Sequence, residues 1–101
     1  MKQFITKNLA MEFYRECQKL FITNSVIKNQ FERATLSIVL NLAEGSGKIT
    51  SRDKRKFYSI ALGSLRESQT ILELINNTEQ LKKTDKLAAH IYKLMQNPNG
   101  V

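Results

Sequence analysis

The chain is 101 residues long and 42% apolar, and carries 16 Lys and Arg against 9 Asp and Glu, a formal net charge of +7. That length holds one domain with one core, the apolar share excludes a disordered chain, and the excess positive charge favours polyanionic partners by long-range attraction. Cys17 is the single cysteine, so no intrachain disulfide can form; no apolar run long enough to cross a bilayer or to serve as a secretory leader occurs, and a cytoplasmic setting is expected.

Helix breakers are scarce and lie at the margins. Pro98 is the one proline, and Gly45, Gly47 and Gly100 fall at expected helix ends or in the tail. The first periodic segment runs from about 8 to 22, with Leu9, Phe13, Cys17 and Leu20 on one face and Glu12, Arg15 and Lys19 opposite. The second runs from about 29 to 44, closed by Gly45 at a left-handed C-cap. Apolar residues occupy most of its circumference, so it is expected to be the most buried. Its polar residues gather in one stripe, Arg33, Ser37, Asn41 and Glu44.

The third helix is expected over about 51–76, with Thr50-Ser51-Arg52-Asp53 as its start signal. Phe57, Tyr58, Ala61, Leu65, Leu72 and Ile75 form its apolar face, and Ile60, Ile71 and Leu74 widen that arc beyond what one neighbour needs, which points to a subunit contact. The fourth is expected over about 85–96, capped by Thr84 or Asp85, with Leu87, Ala88, Ile91, Leu94 and Met95 as its stripe. Connections at 23–28, 45–50 and 77–84 are short, so consecutive helices pack antiparallel. The expected fold is therefore all-α, an up-down-up-down four-helix bundle of one domain over 1–101, assembled as an oligomer.

Catalytic and cofactor chemistry find little support. Gly45-Ser46-Gly47-Lys48 resembles a phosphate loop, but Leu42 stands where the motif requires its first glycine, and a helix precedes it instead of a strand. With His90 as the lone histidine and Cys17 as the lone cysteine, no nitrogen- or sulfur-rich metal site can assemble in one chain. No cofactor and no enzyme activity are expected.

Two other groups of residues are more informative. Folding the second and third helices about the 45–50 turn brings Arg33 toward Gly63 and within a turn of Glu67, which predicts an Arg33–Glu67 ion pair that fixes register, with Ser37 and Asn41 hydrogen-bonding nearby. Small Gly63 and Ser64 are expected to let a neighbouring helix approach. The segment Lys48, Arg52, Lys54, Arg55 and Lys56, broken only by Asp53, is the candidate nucleic-acid-binding surface. No exposed aromatics interleave with these cations, so binding would follow shape and backbone, not base identity.

Gln30-Phe31-Glu32-Arg33-Ala34-Thr35-Leu36-Ser37-Ile38, Asn41-Leu42-Ala43-Glu44-Gly45 and Phe57-Tyr58-Ser59-Ile60-Ala61-Leu62-Gly63-Ser64-Leu65-Arg66-Glu67 together resemble one family. It comprises four-helix-bundle proteins encoded in intervening sequences of bacterial 23S ribosomal RNA genes. The resemblance implies a homopentamer, and a distant relationship to the accessory variability proteins of diversity-generating retroelements, which bind a reverse transcriptase and nucleic acid. Carried onto this chain, the family-defining positions are Arg33, Ser37, Asn41, Glu44, Gly45, Gly63, Ser64 and Glu67, which read as architectural. The chain departs from the pattern in lacking a proline-containing segment after the first helix and in an expected short fourth helix. The function expected is non-catalytic binding of structured RNA or other nucleic acid; the rival is a protein–protein adaptor, such as an accessory subunit of a reverse transcriptase.

Overall fold

The computed structural model describes residues 2–100. Four helices form, α1 (Lys2–Gln18), α2 (Ser25–Ser46), α3 (Ser51–Leu74) and α4 (Thr78–Gln96). Each helix packs against the next in the chain, and α1 closes the ring against α4. The result is an antiparallel four-helix bundle, 42 Å along its axis and 21 × 18 Å across. Among the described residues, no helix is long and apolar enough to cross a membrane.

Helix starts follow side-chain caps. Asn24 Oδ1 accepts from the Ile27 amide (3.0 Å), Thr50 Oγ1 from Asp53 (3.1 Å) and Asn77 Oδ1 from Gln80 (3.0 Å), each satisfying an amide that the first turn leaves unpaired. The Asn24 cap starts α2 at Ser25, four residues earlier than the periodicity predicts. At the α3–α4 junction Asn76 takes a positive φ of 59°. Its amide donates to Glu73 O (3.1 Å) and that of Asn77 to Leu72 O (2.9 Å), the paired bonds of a Schellman stop. Asn77 then caps α4 at once, so no 77–84 connection exists and the fourth helix, expected over 85–96, is a full 19 residues.

The first helix also differs from the expected 8–22. It begins at Lys2 and ends at Gln18, and Phe21 lies outside it, 88% exposed. Gly45 is not a C-cap: α2 continues through Ser46 to Gly47, and no described glycine has positive φ. What Gly45 permits is close packing, since a Cβ there would stand 2.7 Å from Tyr58 Cε1.

The core is built from Ala10, Phe13 and Cys17 of α1, Phe31, Ile38 and Leu42 of α2, Tyr58, Ala61, Leu65 and Leu72 of α3, and Leu87, Ile91 and Leu94 of α4. α2 is less enclosed than its composition predicts, because Leu36 and Leu40 face outward. Several buried hydroxyls bond to carbonyls of their own helix: Thr6 to Lys2 O, Thr35 to Phe31 O and Ser68 to Ser64 O, so they cost little unpaired polarity. Side-chain bonds then link neighbours: Ser37 to Ser64 (2.7 Å) across α2–α3, Gln69 to Thr84 (2.9 Å) across α3–α4, and Lys83 to Glu16 (2.7 Å) across α4–α1.

Candidate nucleic-acid interface

The up-down-up-down path brings the start of α1, the 47–50 turn, the start of α3 and the end of α4 to one end of the bundle. That half (residues 2–10, 36–62 and 88–100) holds eight Lys and Arg against two acids, Glu44 and Asp53, a net +6. The opposite half holds eight Lys and Arg against seven acids, a net +1. The charge of the chain is therefore concentrated at one end.

The five cations read from the sequence play different parts there. Lys54 is only 8% exposed, and its Nζ donates to Ser46 O (3.1 Å), placing an ammonium on the last turn of α2 where the helix dipole is negative. Arg55 Nε donates to Met95 O (2.8 Å) and ties α3 to the end of α4 while remaining exposed. Lys48 pairs with Glu44 (3.1 Å), and its ammonium lies 5.1 Å from the Phe57 ring centroid. Lys56 approaches the same ring at 5.8 Å. Arg52 is exposed, and its side chain makes no ion pair or hydrogen bond among the described residues.

Lys2, Lys7 and Lys93 join this end from distant parts of the chain. Sequence reading missed them because it weighed a contiguous run. Summing charge by bundle end, once the antiparallel order was in hand, would have found them.

The polar stripe of α2 divides. Ser37 and Asn41 lie half-buried in the α2–α3 seam, where Asn41 Nδ2 donates to Ser37 O (2.9 Å) and Ser37 Oγ (3.0 Å). The predicted Arg33–Glu67 ion pair is absent among the described residues, and both side chains are exposed. The cause is helical geometry: Arg33, four residues from Ser37, is offset from it by about 40° around the axis, and Glu67, three residues from Ser64, by about 60°. With Ser37 and Ser64 in contact at the seam, Arg33 and Glu67 each rotate outward. Gly63 meets nothing within 4 Å, so of this pair only Ser64 marks a close approach.

The opposite half has its own cluster. A groove between α1 and α4, of about 220 Å³, is lined by Glu12, Glu16, Lys83 and Lys86 over Leu9, Phe13 and Leu87. Hydrogen bonds from Lys83 and then Gln80 hold the Glu16 carboxyl below its ordinary range. Burial pushes the nearby Cys17 thiol up to about 12, which leaves it unreactive at neutral pH. Further along α4, in the basic half, burial and then Lys93 and Lys86 push the His90 imidazole down. No group of three His, Cys, Asp or Glu that could hold a metal ion occurs among the described residues.

Comparison with known proteins gives one result. The chain matches no curated relative and no solved structure. The family model of the 23S rRNA-intervening sequence protein matches residues 4–99. That span takes in all but the first few residues of α1 and the whole of α2, α3 and α4, and the chain therefore belongs to the 23S rRNA-intervening sequence protein family.

Proposed function

We propose that this chain is a non-catalytic nucleic-acid-binding bundle of the cytoplasm that holds structured RNA against its basic end. The observation that supports this reading is the charge asymmetry: eight cations and two acids at one end, eight and seven at the other. Such an end attracts phosphates and exchanges their counterions, so affinity falls with salt. Lys48, Arg52, Arg55 and Lys56 supply the contacts, and Lys54 holds the turn that presents them.

The test is RNA binding at several salt concentrations. Replacing Lys48, Arg52, Arg55 and Lys56 by Ala is expected to weaken binding about a hundredfold at low salt and to reduce the salt slope by about three. Failure of the wild-type protein to bind RNA or DNA at low salt would remove the proposal.

Self-association as a homopentamer belongs to the same reading. A contact between copies is supported by Leu36, Leu40 and Ile60, which α2 and α3 leave exposed, and the number five comes from the family resemblance. Light scattering on the eluting protein measures the subunit number. The second reading, an adaptor for a reverse transcriptase or another protein, draws on the apolar groove of Val26, Ile27, Ile71 and Leu74 at the near-neutral end. Protein binding that survives the four alanines, with no RNA affinity, would favour it.

A further inference from the structure

On the turn between α2 and α3, at the basic end, stands a residue that charge does not explain. Ile49 is 93% exposed, at the tip of the turn between α2 and α3 and flanked by Lys48 and, two residues beyond Thr50, by Arg52. Its position is fixed from both sides. The Gly47 and Lys48 amides donate to Glu44 O (3.2 Å) and Gly45 O (3.1 Å), while Thr50 caps α3 through its side chain and carbonyl. A β-branched side chain has few rotamers. Ile49 is thus a stiff apolar knob on an anchored turn, organised before any partner arrives.

We propose that Ile49 covers the face of a base that has left its stack, and that the ligand of this end is therefore a looped, bulged or frayed RNA and not a continuous duplex. The inference rests on the reading of the basic end as a phosphate-binding surface. A continuous duplex offers that surface hydrated phosphates, against which an isoleucine side chain gains nothing. An unstacked base offers an apolar face between phosphates, matching a knob set between cations. The ring beside the turn does not fill this role, since Phe57 is half-buried and two lysine ammoniums lie against it; the exposed rings of this end, Phe4 and Tyr92, stand on α1 and α4 and not on the turn.

The experiment uses the full chain and two labelled RNAs of equal length, a hairpin with an open loop and a perfectly paired duplex, titrated across a range of salt. The wild type is expected to prefer the hairpin. Ile49→Ala is expected to weaken hairpin binding about tenfold, to abolish the preference and to leave the salt slope unchanged, because no phosphate contact is lost. Arg52→Ala, by contrast, lowers the slope by about one. An Ile49→Ala protein that keeps wild-type affinity and preference, while the four-cation variant loses binding, overturns the inference and leaves the basic-end reading intact. Absence of RNA binding by the wild type overturns both. Ile49-dependent binding to phosphatidylserine vesicles without RNA binding overturns both in favour of a membrane surface. Because Ile49 is almost wholly exposed, an unchanged melting temperature is the control that the variant is folded.

Discussion

The two ends of the bundle contain the same number of cations and differ almost entirely in their acids. At the near-neutral end charges are used locally: Lys83 bridges Glu16 at 2.7 Å and reaches Glu79 at 3.9 Å. At the basic end Glu44 and Asp53 are the only acids, and one ion pair, Lys48–Glu44, forms there among the described residues. Two further cations, Lys54 and Arg55, face carbonyls at the ends of α2 and α4, which satisfies the helices without cancelling the charge. A net charge of +7 distributed evenly would say little; concentrated at one end of a 42 Å rod, it gives the molecule a direction.

The most direct way to break this comparison is to remove equal charge from each end. Lys19, Lys28, Lys82 and Lys86 are exposed at the near-neutral end. Changing these four to Ala is expected to alter RNA affinity by no more than about threefold, through long-range attraction alone, against the roughly hundredfold expected at the basic end. Equal losses from the two variants would mean that net charge, not its placement, governs binding.

Next in size are effects on the scaffold. Gly45→Ala forces a Cβ to 2.7 Å from the fully buried Tyr58 ring, which has no room to yield. Overpacking of this kind costs about 1–3 kcal/mol. Gly63→Ala enters open space at negative φ within α3 and is expected to stabilise by about 0.5–1 kcal/mol through the better helix propensity of alanine. Thermal melts of the two variants should move in opposite directions. A shared direction would mean that the two family glycines play one role.

Much of this was legible in the sequence, and the misses have common causes. The facing stripes of α2 and α3 were readable because leucines, isoleucines and aromatics mark them. The starts of α1 and α4 were not, because polar residues occupy their core positions: Thr6 in α1, and Gln80 and Thr84 in α4. Thr6 bonds to Lys2 O, Thr84 accepts from Gln69, and Gln80 donates to Glu16. Apolar periodicity cannot register such residues, so α4 first showed itself at Leu87. The basic segment read as five equivalent cations. Yet Lys54 lies four residues before Tyr58 and seven before Ala61, on the core face of α3, and that spacing already marked it as different.

Lys54→Met separates structure from binding at the basic end. The methionine keeps most of the buried stem but loses the bond to Ser46 O. A loss of about 1 kcal/mol in stability is expected, with the RNA salt slope unchanged. A slope that falls by about one would return Lys54 to the phosphate-contacting set.

The smallest expected effect lies at the other end and depends on pH. Glu16 has its folded pKa held below the ordinary 4.5, first by the hydrogen bond from Lys83 and then by that from Gln80. A depressed carboxylate pKa stabilises the fold above the unfolded value, and that contribution disappears as pH falls through the folded value. Glu16→Gln should therefore melt slightly below the wild type at pH 7, and the gap should close as the pH is lowered from about 5 toward 3. The Lys83 amine is shifted upward by the same partner, so its share persists through neutral pH and is lost only as pH rises above the usual lysine range. Both groups are partly exposed, and salt should shrink the gap at pH 7 as well. A gap that stays constant from pH 7 to 3 would assign the effect of Glu16 to packing over Phe13 and Leu87 instead of to charge. The cations of the near-neutral end would then be as little compensated as those of the basic end, and the contrast between the two would rest on acid count alone.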